Sequence, residues 1–180
     1  MATTPKSKGL LLLETSVLIS FLKILRLDIL GLLDRDLVIT EEVDAEIKGA
    51  KYPFQRQHLN SHLELGTVRI VQLEELATVN LKSQMLALGA FGTGECSSAA
   101  KALELDCVVA MTDLDAIKAF QRKYPDLKVC SVLDLMCELV CDGQLSVADA
   151  DLILPSWAKE AQNPVPTLVN SFVECLDAGS

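Results

Sequence analysis

Leu10-Leu11-Leu12-Leu13-Glu14-Thr15-Ser16-Val17-Leu18-Ile19-Ser20-Phe21-Leu22 is the stretch whose reading decides the fold. Four consecutive leucines make an apolar run of strand length, and the run stops at an acid. After it, apolar residues recur at Val17, Leu18, Phe21, Leu22, Leu25, Ile29 and Leu32, the spacing of a helix over 15–33. A strand without alternation that feeds directly into a helix is the opening of a buried, parallel β/α arrangement.

The pattern repeats downstream. Residues 37–39 form a short second strand, ended by Thr40, whose hydroxyl can cap a helix carrying Glu41 and Glu42 in its first turn. Tyr52-Pro53 breaks that helix. Residues 67–73 read as a third strand, followed by two helices split at Gly89-Ala90-Phe91-Gly92. Residues 107–111 and 127–130 give the fourth and fifth strands, with a helix over 114–123 between them. Beyond Ser131 the chain turns helical: 131–141, then Gly143, then Ser146 capping a helix with Asp149 at its third position. Pro155, Pro164 and Pro166 punctuate the remainder, and 167–176 has the spacing of a last amphipathic helix. The expectation is an α/β fold, a three-layer α/β/α sandwich on a mostly parallel sheet of about five strands with a helical C-terminal extension. Its parts are a polar tail over 1–8, a domain over 9–153, and an extension over 154–180 that packs on the domain or on a partner.

The 180 residues suit one domain with a proper core, half of them apolar and only 4% aromatic. Leu, Val, Ile and Ala must therefore build that core. A net charge of −9 argues against a protein that coats nucleic acid through a basic surface. Glu14, Lys23, Arg26 and Asp28 interrupt the Leu-rich N-terminal region, so it offers no membrane span, and the run after Lys8 is too short for a signal sequence. The six cysteines form no CxxC and no zinc-type spacing, which reads as reduced thiols in a cytoplasm. Cys130, Cys137 and Cys141 fall at helical offsets and are expected as small apolar fillers.

Four acids stand at comparable places: Glu14 after the first strand, Glu46 in the helix after the second, Glu95 in Gly92-Thr93-Gly94-Glu95, and Asp113 after the fourth strand. In a parallel sheet the carboxyl ends of the strands share one edge, so acids a hundred residues apart in sequence meet there. Clustered carboxylates repel, and a divalent cation is the usual remedy. That combination points to metal-dependent nuclease chemistry.

These motifs resemble the PIN-domain ribonucleases. An apolar strand ending in an acid, then Thr or Ser and an apolar helix, is matched by Leu13-Glu14-Thr15-Ser16-Val17. Val43-Asp44-Ala45-Glu46-Ile47 is similar to the second-acid helix, Gly94-Glu95 followed by small residues to the Gly-Glu motif of the bacterial subgroup, and Met111-Thr112-Asp113-Leu114-Asp115 to the last acidic turn. The resemblance covers about residues 10–153. Two positions depart from it: Glu14 stands where the family favours Asp, and Ser97 where the subgroup often carries a second Glu.

The resemblance implies a PIN-like sandwich and hydrolysis of RNA phosphodiesters with Mg²⁺ or Mn²⁺ held by hard oxygen ligands. Glu14, Glu95 and Asp113 are the expected primary ligands; Glu46 and Asp115 act through bound water or assist a second ion. Thr15, Ser16 and Thr112 are candidates for hydroxyls that hold the carboxylates, and equally for simple helix caps. Lys48, Lys51 and Arg56 are candidate RNA-phosphate contacts, with Lys118, Arg122 and Lys123 as a second group. Tyr52 could stack a base, Phe54 reads as a loop anchor, His58 and His62 as an exposed pair, and Trp157 as the cover of a core edge or a dimer surface. For many small bacterial members the resemblance implies the toxin half of a toxin–antitoxin pair, often a homodimer, inhibited by a protein that puts a basic side chain into the acidic cleft. The alternative is a PIN-fold binding or scaffold module with impaired catalysis.

Overall fold

The computed structural model describes residues 9–49, 53–159 and 165–178. Its centre is β1 (Gly9–Leu13), the leucine run, which pairs in parallel with β2 (Arg35–Thr40) on one side and β4 (Val108–Met111) on the other. Beyond β2 lies β3 (Val68–Val71), and beyond β4 lies β5 (Lys128–Ser131), giving the order β3-β2-β1-β4-β5 with every pairing parallel. Alternation explains why β1 must be apolar throughout: Leu11 and Leu13 enter one core and Leu12 the other, all three fully buried.

Helices cover both faces. The first core takes Val17 and Phe21 of α1 (Thr15–Lys23), Val43 and Ile47 of α2 (Glu41–Lys48), and Leu59 of α3 (Pro53–Glu64). The second takes Met85 of α4 (Leu76–Leu86), Cys96 and Ala99 of α5 (Thr93–Glu104), and Phe120 of α6 (Leu114–Lys123). After β5, α7 (Val132–Cys141) starts on a capping box in which Ser131 accepts from the Asp134 N–H at 3.1 Å and donates to its carboxylate at 2.7 Å. Two short helices follow, α8 (Val147–Asp151) and α9 (Leu154–Trp157), then α10 (Val165–Leu168) and α11 (Val173–Ala178). The expected sandwich and helical continuation are thus both present.

Three expectations need correction. The first helix does not run to residue 33: it stops at Lys23, Leu25 turns left-handed at φ +57°, and a 3₁₀ segment over Leu27–Leu32 sends Leu27, Ile29 and Leu30 back into the core. The last amphipathic helix is split, because Asp151 accepts hydrogen bonds from the Ser171 hydroxyl and the Phe172 N–H, both at 2.7 Å, and so holds the chain out of helix between α10 and α11. The cysteines are not all reduced: Cys137 on α7 and Cys175 on α11 form a disulfide. Cys130 belongs to β5 and Cys141 is exposed, so the three do not share a buried helix face. Burial pushes the thiols of Cys96 and Cys107 up to about 11 and that of Cys130 up to about 12, which leaves them inert fillers.

Trp157 covers the core edge as expected. It is fully buried, edge-on to Phe21 with ring centroids 5.3 Å apart, and its indole N–H donates to the Ser20 carbonyl at 2.9 Å. Phe54 is no anchor; it lies on α3 and is 76% exposed. Among the described residues no helix is long and apolar enough to cross a membrane. Strand order reverses between β1 and β4, so the crevice of this sheet opens at the carboxyl ends of those two strands.

Candidate active site

Glu14 is the first residue past β1, and its own N–H extends the β1–β4 ladder by donating to the Ala110 carbonyl at 3.2 Å. This fixes it in the crevice, 5% exposed. Its carboxylate caps α1: one oxygen, Oε2, accepts from the Ser16 N–H at 3.0 Å and from the Ser16 hydroxyl. Burial pushes this carboxyl up to about 7; the Ser16 bonds oppose the shift, and the charges of Glu95 and Glu46 add to it.

Asp113 does the same for α6. Its Oδ1 accepts from the N–H groups of Asp115 and Ala116 at 2.8 and 3.0 Å. Glu95 sits in the first turn of α5, where Oε2 accepts from the Gly92 N–H at 2.7 Å. Burial raises its carboxyl too, the Gly92 bond opposes, and the neighbouring Asp113 and Glu46 raise it further. Glu95 thus feels Glu14, Asp113 and Glu46 alike. Glu46 is held at both oxygens: Gly94 N–H donates to Oε1 at 2.9 Å, and the Thr15 hydroxyl to Oε2 at 2.5 Å.

The four acids therefore divide. Among the described residues Glu14, Glu95 and Asp113 each commit a single oxygen to a helix N-terminus, leaving Glu14 Oε1, Glu95 Oε1 and Asp113 Oδ2 uncommitted. Glu46 has none to spare. None of the four lies in an ion pair with a described Lys or Arg. A buried hydroxyl, Thr112 Oγ1, also lacks a hydrogen-bond partner beside Asp113. An all-oxygen set of repelling, cation-free carboxylates with an orphaned hydroxyl fits a hard divalent ion chemically. The acids are not drawn together as a ready-made cage: among the described residues no three acids, His or Cys form a group that could hold a metal as it stands.

Other expected residues lie differently. The Asp115 side chain is 96% exposed and faces Lys118 at 3.7 Å. Lys48 is paired with Asp44 on its own helix, and Arg56 donates to the Lys48 carbonyl at 3.4 Å. Lys51 and Tyr52 lie outside the described residues. Arg122 and Lys123 end α6, both exposed, with Lys123 6.0 Å from the Tyr124 ring centroid. His58 and His62 stack edge-on at 4.9 Å, and both are only partly exposed. A groove of about 500 Å³ lined by Leu22, Leu25, Phe54 and His58 contains none of the four acids, so cavity size does not point to the site.

For three residues named from sequence, the contacts they make here are tertiary and unforeseen. Gly94 has no room for a side chain: a Cβ would meet Thr15 Oγ1 at 2.6 Å and Glu46 Oε2 at 2.7 Å. Thr40 and Ser97, both fully buried, join hydroxyl to hydroxyl at 2.9 Å. Thr40 is legible in sequence only as a cap and Ser97 only as a missing acid; their meeting is a tertiary fact.

Compared with known proteins, the chain matches the family DUF3368, described as a PIN domain, over residues 10–177. No curated protein matches it. With the five-stranded parallel sheet, the acids at its switch point and a match across nearly the whole length, the chain belongs to the PIN-domain family, whose members are generally nucleases.

Proposed function

We propose that this PIN domain is an endoribonuclease that hydrolyses RNA phosphodiesters with Mg²⁺ or Mn²⁺ at the acidic edge of its sheet. The observation that carries the reading is the division of the acids: Glu14, Glu95 and Asp113 each keep one oxygen uncommitted, and no described cation neutralises them. Those three would hold the ion. The chemistry such an ion supplies is activation of a water nucleophile and relief of charge on the phosphate and the leaving oxygen.

The chain's own groups do the rest. Ser16 orients Glu14, the N-terminus of α6 orients Asp113, and Gly92 orients Glu95. Glu46, both of whose oxygens are already held by Thr15 and Gly94, acts through its charge. Lys118, in the second turn of the helix that Asp113 caps, is the proposed phosphate contact beside Arg56; Arg122 and Lys123 end that helix, roughly 13 Å of helix rise from the cap. A second copy of the chain and an antitoxin-like protein with a basic side chain are the proposed partners; the acidic edge complements such a side chain in charge.

A second reading, a PIN-fold scaffold with impaired catalysis, is favoured by Glu14, whose longer side chain is folded back onto Ser16, and by the lack of a preassembled cage. Cleavage of labelled single-stranded and structured RNAs with Mn²⁺, Mg²⁺ or EDTA, wild type beside Asp113→Asn, separates the two. Metal-dependent cleavage lost in the variant establishes the nuclease. Equal inertness, with no Mn²⁺ heat by calorimetry, leaves the scaffold.

A further inference from the structure

We propose that Ser97 and Thr40 are positioning residues of the acidic site, their joined hydroxyls locking α2 to α5 so that Glu46 and Glu95 keep a fixed spacing. The inference rests on the proposed reading only for its metal; its geometry stands alone. Thr40 ends β2 and caps α2, accepting from the Val43 N–H at 3.4 Å. Its hydroxyl meets Ser97 Oγ at 2.9 Å, and Ser97 Oγ donates to the Gly94 carbonyl at 3.0 Å. The Gly94 N–H then returns to Glu46 Oε1 on α2 at 2.9 Å. A ring closes: cap of α2, hydroxyl of α5, peptide of Gly94, carboxylate of α2.

Two further observations fit a positioning part. Thr40 and Ser97 are 0% exposed, where a hydroxyl pair is costly unless satisfied, so the pair specifies one docking of the two helices. Gly94, within the ring, tolerates no Cβ against Thr15 and Glu46, so the backbone of α5 packs directly on the acid and its hydroxyl partner. Where a second Glu is expected from the family pattern, this chain has a structural strut.

The test uses the full chain with ¹³C-labelled Glu carboxyls, measured without metal at one pH, and Mn²⁺ binding by calorimetry. Ser97→Ala and Thr40→Val, which each delete a hydroxyl with little change of volume, are expected to shift the Glu46 and Glu95 carboxyl resonances and to weaken Mn²⁺ about tenfold. Thr40→Ser, which keeps the hydroxyl, is expected to restore wild-type resonances and affinity. Folded hydroxyl-deletion variants with both resonances unmoved overturn the proposal whatever the metal does. If the wild type binds no Mn²⁺ the nuclease reading falls, and shifted resonances in Ser97→Ala still establish the strut.

Discussion

At the carboxyl edge of the sheet, every acid is held by a light polar contact: a hydroxyl, a peptide N–H, a helix cap. The segment from Leu154 onward is held quite differently, by Trp157, Val165 and Phe172 sunk in the same core as β1 and by a covalent Cys137–Cys175 link to α7. One region keeps repelling charges in place at a cost in free energy, and the other supplies apolar burial that offsets it. Changes at the edge should therefore move chemistry with little loss of stability, and changes in the strap the reverse.

The largest effect tests that division at the edge. Asp113→Asn should lower metal-dependent cleavage by about a thousandfold or more, several kcal/mol of transition-state stabilisation. Its urea midpoint should hardly move, since Asn caps a helix as well as Asp. A large fall in both would show that the two regions are not separable. On the other side, Trp157→Ala should cost about 3–5 kcal/mol in chemical denaturation, from the lost ring contact with Phe21 and the cavity left behind, while Mn²⁺ affinity of the folded protein stays within about twofold. Reducing the Cys137–Cys175 link, which spans 38 residues, should cost up to about 4 kcal/mol, read as a midpoint that falls when a thiol reductant is added and does not fall in a Cys137→Ala, Cys175→Ala double variant.

The smallest effect concerns pH. Glu14 is raised from about 4.5 in the unfolded chain to about 7 in the fold, chiefly by burial. The folded state then holds a proton the unfolded state has lost, so this group's contribution is fully present below about 4.5 and is lost as pH rises through about 7. Metal-free protein should become less stable by up to about 3 kcal/mol across that window. Glu42, which burial would raise but Lys82 holds below the usual carboxylate range, acts with the opposite sign and in a more acidic window. Thermal unfolding of wild type and Glu14→Gln from pH 5 to 8 checks it: the fall should be smaller in the variant, and an identical slope would remove Glu14 from the account.

What could be read from sequence follows the reach of each interaction. β1 and its acid are legible because burial on both faces writes four leucines in a row, and Ser146–Asp149 is legible because a cap is satisfied within three residues. Leu25 escapes because the left-handed turn is taken by a leucine, not a glycine, and the 3₁₀ segment after it buries Leu27 and Ile29, apolar positions that a continuous helix also explains. The split of the last helix escapes because its cause, Asp151, is 20 residues away. Cysteine pairing is closed to sequence, since six cysteines allow many connectivities. At the site, the four acids could be listed in order, but which of them keeps an oxygen free depends on Thr15, Gly94 and Ser16 meeting them in space.

The strap is also late in time. Translation and folding proceed from the N-terminus, so all five strands and the four acids of the site leave the ribosome before Trp157 and Phe172 do. Until then the nascent domain lacks the indole that lies against Phe21, and apolar surface there stays open to water. A message cut short after β5 would encode all four acids without the Trp157 and Phe172 that the core buries.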